Sequence, residues 1–179
     1  MTTYAHSSLW IVDNFLPRVD QKLDYSAFWK DPQMFTDVTT ILWNCLSRSV
    51  PRSVRQRFLP RKVRSIYATD KVFGTAVAWH AGLRLYFKET VGSLEARDTI
   101  FVVGTELNNE VIEIVREIQE SDAVLCGVGV IGDVRPNTCL EALEGEHYCP
   151  LIVYEDSIDP VPVENRLQVH QVGLVSLYS

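Results

Sequence analysis

The sequence predicts an α/β protein of the Rossmann-like, flavodoxin-like type, in which helices flank a mainly parallel sheet. Three short apolar runs rich in β-branched residues, typical of strands buried on both faces, lie at 99–104, 123–130 and 151–154. Between the first two runs, residues 107–119 repeat apolar side chains at helical spacing among charged ones. This alternation of strand and helix indicates a parallel sheet with helical crossovers.

Composition is that of an ordinary globular domain, with 46% hydrophobic and 22% charged residues among 179. No apolar run approaches the roughly 18 residues that span a membrane, and residues 1–6 lack the features of a signal peptide. We therefore expect cytoplasmic residence without membrane association. No cofactor or metal is expected, because the one set of side chains that could hold a metal matches no common zinc spacing: Cys126, Cys139, His147 and Cys149.

The first 60 residues are predicted to form a helical or irregular, Trp-rich extension packed on an α/β domain of residues 61–179. Apolar residues recur at helical spacing from Phe35 to Leu46, and Asp31-Pro32 is typical of a helix start. A short strand is predicted at 9–12. The tryptophans of this part are expected to pack it onto the sheet or onto a second subunit: Trp10, Trp29 and Trp43.

A basic stretch, Arg48–Arg64, contains seven Lys or Arg residues and no acid. Such a stretch could bind nucleic acid. We favour a solvated connector, or a patch that docks on an acidic surface of this protein or of a copy, because the stretch is short and has only Phe58 among its charges.

The main sheet is expected to begin with a strand at 63–68, followed by a helix over 70–90 and, near the end of the chain, a strand at 167–175. Ligands of parallel sheets usually bind beyond the carboxyl ends of the strands. Gly104 ends the strand at 99–104 and is expected to line the site, and Glu106 or Asn108 after it could reach a ligand. The alternative is that Thr105 or Asn108 simply caps the next helix. Neither GxGxxG nor GxxxxGK[ST] is present.

Glu141 follows the strand 123–130 and the turn 136–138, in a segment predicted to be helical. A carboxylate there could stabilise a positively charged sugar or attack its anomeric carbon, as cleavage of a nucleoside or of NAD requires. The alternative is that Glu141 only occupies the first turn of a helix, where carboxylates are favoured.

The segment Ser121–Leu125, Asp133-Val-Arg-Pro-Asn-Thr-Cys-Leu-Glu141 and Pro150–Val153 resembles the nucleoside 2-deoxyribosyltransferase and TIR-like group. The resemblance implies a Rossmann-like fold in which Glu141 acts on an N-glycosidic bond. It also implies that Asp133, Asn137 and Thr138 shape the sugar site. The base or phosphate side would be lined by Tyr67, Ala68 and Thr69.

A second segment, Asp122-Ala-Val-Leu-Cys-Gly-Val-Gly-Val-Ile-Gly-Asp133, is similar to a glycine-rich stretch of phosphosugar isomerases, deaminases and sugar-phosphate sensors. By that resemblance Gly127, Gly129 and Gly132 would form a phosphate-binding loop.

The sequence thus predicts a nucleotide- or nucleoside-binding domain, expected to be a homo-oligomer, with Glu141 as catalytic carboxylate of a hydrolase or transferase. A phosphosugar sensor and a non-enzymatic assembly protein remain the alternatives.

Overall fold

The computed structural model of the chain describes residues 18–19, 22–23, 25, 29–48, 63–89, 94–134, 138–154 and 160–162. Within these residues, two short strands, β1 (Arg18–Val19) and β2 (Lys22–Leu23), pair antiparallel. All other strands belong to one six-stranded sheet. Those strands are β3 (Ser65–Ala68), β4 (Arg84–Tyr86), β5 (Thr99–Glu106), β6 (Val124–Val134), β7 (Tyr148–Tyr154) and β8 (Pro160–Pro162).

The order of strands across the sheet is β4-β3-β5-β6-β7-β8, and only β8 runs antiparallel to its neighbour. Numbered along the chain, the five parallel strands have the order 2-1-3-4-5, which is the flavodoxin-like arrangement. The prediction of a mainly parallel sheet flanked by helices is therefore confirmed.

Three α-helices begin at side-chain caps: α1 (Pro32–Arg48), α2 (Lys71–Ala81) and α3 (Asn109–Glu120). Asp31 accepts hydrogen bonds from the backbone N–H groups of Gln33 and Met34. Asp70 and Asn108 accept from the third residue of their own helices, at 2.7 and 3.1 Å. These are the standard N-cap contacts, and they fix where each helix starts.

Alternate residues of the strands contribute to two cores on opposite faces of the sheet. Phe101 and Val103 of β5 pack with α1 and α2, whereas Ile100 and Val102 pack with α3 and the 3₁₀ helix Thr138–Leu143. Trp43 of α1 lies edge-on to Phe101, with ring centroids 6.0 Å apart, so this tryptophan packs on the sheet as expected.

The predicted helix over 70–90 is too long. Helix α2 stops at Ala81 because Gly82 takes a left-handed conformation (φ 67°), and the chain returns at once as β4. The predicted helix around Glu141 is instead a 3₁₀ helix of six residues. The strands predicted at 9–12 and 167–175, and residues 49–62 of the basic stretch, lie outside the described residues.

Each helix in the described part of the chain is too short or too polar to cross a membrane.

Candidate functional site

The sheet has a topological switch point between β3 and β5. The chain leaves β3 for α2 on one face of the sheet and leaves β5 for α3 on the other. The two crossovers therefore diverge beyond the carboxyl ends of these adjacent strands, an arrangement that forms a crevice in parallel α/β sheets. In parallel α/β sheets this is the usual place for a ligand.

Thr69 and Gly104 meet at the floor of this crevice. The Thr69 N–H donates to the carbonyl of Val103 at 3.1 Å, which extends the strand pairing by one residue. A Cβ on Gly104 would lie 2.9 Å from Thr69 Oγ1, so only glycine lets this hydroxyl sit against β5. Glu106 is two residues further along β5 on the face of Gly104, and it is half-buried. Thr69 and Glu106 are thus the polar side chains at the ends of the two strands that flank the switch point.

Tyr25 joins the N-terminal part of the chain to this edge of the sheet. Its hydroxyl donates a 2.9 Å hydrogen bond to the backbone carbonyl of Thr105, eighty residues away in sequence. The ring also packs against the core that α1 and α2 share with the sheet. A residue of the N-terminal extension therefore lies directly at the carboxyl edge of β5.

The connection from β5 to α3 consists of two residues, Leu107 and Asn108. Leu107 is buried, and its N–H donates to the carbonyl of Gly132 on β6. The side chain of Asn108 caps α3 by accepting from Val111. With both residues engaged, this connection cannot wrap around a phosphate group as a longer glycine-rich loop does. Recognition at the crevice would depend on side chains.

Several residues predicted for the site lie elsewhere. Tyr67 is fully buried beneath α3, where its hydroxyl bonds to Glu117 at 2.9 Å. Burial and that hydrogen bond raise the pKa of Tyr67, as expected of a packed tyrosine. Thr138 and Glu141 are exposed on the 3₁₀ helix, which packs on α3. Asp133 is fully buried at the carboxyl end of β6, and Asn137 lies outside the described residues.

The glycines of the expected phosphate loop lie inside β6, so that expectation is wrong. A Cβ on Gly127 would lie 2.8 Å from a ring carbon of His147, and one on Gly129 would lie 2.8 Å from a methyl of Leu46. Gly132 is also a buried residue of the strand. These glycines allow close packing of neighbouring elements.

No group of three or more His, Cys, Asp or Glu among the described residues is placed to hold a metal ion. The set considered from the sequence is divided by the sheet: Cys126 and Cys149 belong to the core under α1, whereas Cys139 packs with α3.

A scan of protein-family models and a search of curated proteins find no match to this chain. Solved structures do share its fold. The adenine phosphoribosyltransferase of Thermoanaerobacter pseudethanolicus has a TM-score of 0.63 at 14% identity, over 82% of this chain and 99% of that one. The orotate phosphoribosyltransferase of Mycobacterium tuberculosis, in complex with inorganic phosphate, has a TM-score of 0.59 at 14% identity, over 84% and 87%. The Saccharomyces cerevisiae adenine phosphoribosyltransferase, complexed with an imino-altritol bisphosphate and adenine, has a TM-score of 0.57 at 10% identity, over 82% of this chain and 97% of that one.

The resemblance to nucleoside 2-deoxyribosyltransferases and TIR-like proteins is therefore wrong, since these solved structures with the same fold are phosphoribosyltransferases. That resemblance depended on a short strand-loop-strand pattern near 121–154, which several α/β folds can present. The catalytic role predicted for Glu141 loses this support, and the comparisons give no support to the NAD, hydrolase or glycosidase predictions.

Sequence reasoning missed Tyr25 and Asp70 at this edge. Asp70 carried a detectable signal, because an acid directly after a strand and before an apolar helical pattern is typical of an N-cap. Tyr25 carried none, since no local pattern relates it to a strand eighty residues later.

Proposed function

We propose that this chain binds a nucleobase-containing small molecule, a free base, nucleoside or nucleotide, in the crevice between β3 and β5. The observation that carries the proposal is the switch point itself, where Thr69 and Glu106 lie at the ends of adjacent strands whose crossovers diverge. The fold likeness to adenine and orotate phosphoribosyltransferases supports the same class of ligand.

The chemistry of the crevice suits a base better than a phosphate. A hydroxyl and a carboxylate can accept hydrogen bonds from ring N–H and exocyclic amino groups. A phosphate would need backbone N–H groups or cations, and the two-residue connection at Leu107-Asn108 is already engaged in the fold. The base is therefore proposed as the part of the ligand that supplies most of the affinity.

Isothermal titration calorimetry of the full chain tests this proposal. The panel contains adenine, orotate, adenosine, adenosine monophosphate and inorganic phosphate. We expect at least one base-containing compound to bind and phosphate alone to give no heat. The proposal fails if no base-containing compound binds.

Two matched Glu-to-Gln variants locate the site. Because a hydrogen bond to a charged group contributes about 1.5–3 kcal/mol, Glu106→Gln should weaken binding roughly tenfold to a hundredfold. Glu141→Gln makes the same chemical change on the exposed 3₁₀ helix and should leave affinity unchanged. If Glu141→Gln weakens binding and Glu106→Gln does not, the ligand binds at the connection that contains Glu141.

A further inference from the structure

Cys45 and Cys149 pack in the same core between α1 and the sheet, and the interaction with Cys45 contributes to the raised pKa of Cys149. Cys45 is half-buried near the end of α1, and Cys149 is 9% exposed on β7. Neither thiol is part of a disulfide. They are 104 positions apart in sequence, so only the tertiary fold brings them together.

The position of α1 explains why these two thiols meet. A Cβ on Gly129 of β6 would lie 2.8 Å from Leu46 Cδ1 and 3.0 Å from Leu42 Cδ1, so α1 lies directly on the sheet at this glycine. Gly129 pairs with Cys149 on the adjacent strand. Cys45 lies between the two leucines in sequence and belongs to the same helix turn. The close approach over Gly129 therefore places its thiol beside β7.

The other two cysteines have different surroundings. The Cys126 thiol lies 3.8 Å from the carbonyl of Val124, in its own strand. The Cys139 thiol lies 3.5 Å from the side-chain oxygen of Asn109, on the opposite face of the sheet. Among the four, Cys45 and Cys149 are therefore the pair whose thiols interact with one another.

We propose that Cys45 and Cys149 form a reversible redox pair that closes to a disulfide between α1 and β7 when the protein meets a peroxide. In the first step one thiol attacks the peroxide, the O–O bond breaks, and a sulfenic acid and one water form. In the second step the other thiol attacks that sulfur, the S–S bond forms, and a second water leaves. Two thiols lose two electrons and two protons in total, and one hydrogen peroxide is reduced to two waters.

Cys45 is the thiol that reacts first. The hydrogen bond with Cys45 and burial hold the pKa of Cys149 well above its usual range, which keeps Cys149 protonated and slow toward peroxide. Cys45 is more accessible, and its sulfenic acid would form within reach of Cys149. The buried partner then resolves the sulfenic acid before further oxidation.

Closure joins two positions that enclose about 100 residues, which reduces the conformational freedom of the unfolded chain. The oxidised protein should therefore melt several degrees above the reduced protein. The disulfide also fixes α1, the first long element of the described chain, to the sheet.

The test treats the full chain with hydrogen peroxide and maps disulfides by mass spectrometry of a non-reducing digest. We expect one Cys45–Cys149 linked peptide, a fall from four free thiols to two in denaturant, and full recovery with dithiothreitol. Cys45→Ser and Cys149→Ser should each abolish the linked peptide and the rise in melting temperature. Cys126→Ser and Cys139→Ser are the matched controls and should retain both.

Cys45→Ser provides the decisive variant if Cys149→Ser does not fold, because Cys45 is the more exposed member of the pair. The proposal is overturned if peroxide converts Cys45 to sulfinic acid while Cys149 stays a free thiol. It is equally overturned if the linked peptide joins any other two cysteines.

Discussion

The hydroxyl of Tyr25 donates to the backbone carbonyl of Thr105 at the carboxyl end of β5. This hydrogen bond joins the N-terminal part of the chain to the edge of the sheet where the two crossovers diverge. It places the Tyr25 hydroxyl next to the strand end that contains Glu106. The Tyr25 ring packs against the core that α1 and α2 share with the sheet.

Tyr25→Phe removes this hydrogen bond and keeps the ring that packs against the core. A buried or half-buried hydrogen bond contributes about 1 kcal/mol, so we expect the free energy of unfolding to fall by about that amount. Urea unfolding of both proteins measures it. An unchanged midpoint would mean that water replaces the bond at no cost and that Tyr25 does not fix the edge.

Gly104→Ala tests the contact between β3 and β5. The added methyl would meet Thr69 Oγ1 at 2.9 Å and Val111 Cγ2 at 3.1 Å, so a neighbour must shift. We expect a loss of roughly 1–3 kcal/mol in the free energy of unfolding. In a Thr69→Ala background one obstacle is gone, and the same substitution should cost measurably less. Strictly additive effects would contradict direct contact between Thr69 and residue 104.

His147 makes stability depend on pH in the acid range. Burial lowers its pKa from 6.5 to about 4, and its Nε2 has no hydrogen-bond partner among the described atoms. The unfolded chain therefore takes up this proton near pH 6.5 and the folded protein only near pH 4. The contribution of neutral His147 to the free energy of unfolding is fully present above pH 6.5. It falls by up to about 3 kcal/mol as the pH drops from 6.5 to 4.

The variant His147→Leu isolates this contribution from those of the carboxylates. The unfolding free energy of the wild type minus that of the variant should decrease as the pH falls from 7 to 4. A difference that does not change with pH would show that the imidazole is not buried in its neutral form.

Asp98, at the amino end of β5, tests the opposite edge of the sheet. Its carboxylate is 2% exposed and accepts hydrogen bonds from the Ser65 hydroxyl at 2.5 Å and the Tyr86 hydroxyl at 3.2 Å. Asp98→Ala leaves both hydroxyls without this partner and should cost roughly 3 kcal/mol of unfolding free energy. Ser65→Ala removes one donor only and should cost less.

Neither Asp98→Ala nor Ser65→Ala should change ligand affinity in the protein that remains folded, because both lie at the edge away from the crevice. A loss of affinity in either variant would indicate that the ligand contacts the amino edge.

The spacing of apolar residues predicts the long strands and helices, but it does not predict the short ones. Strand β5 and helix α3 were predicted because their apolar residues are nearly all buried, so their patterns directly reflect the packing. Strand β4 was missed because Leu83, Leu85 and Phe87 continue the apolar pattern of the preceding helix. Gly82, whose left-handed conformation ends α2, separates these residues from the helix.

Only part of the candidate site can be predicted from the sequence. Gly104 and Glu106 lie at a strand end, which is a local feature, whereas the contact of Gly104 with Thr69 follows from the strand order. The role of Glu141 stays a prediction, because a carboxylate after a strand has the same sequence pattern whether it lies over a crevice or on an exposed crossover. Which strands are neighbours is a tertiary property, and the switch point follows only from the observed strand order.

We propose that a base-containing ligand lies between β3 and β5. The most direct measurement is an amide chemical-shift titration of the isotope-labelled protein with adenine and with adenosine monophosphate. We predict the largest shifts at Thr69, Thr105 and Glu106, with Ser65 unaffected. Shifts centred on Glu141 and the 3₁₀ helix, or no shifts at saturating ligand, would contradict the account.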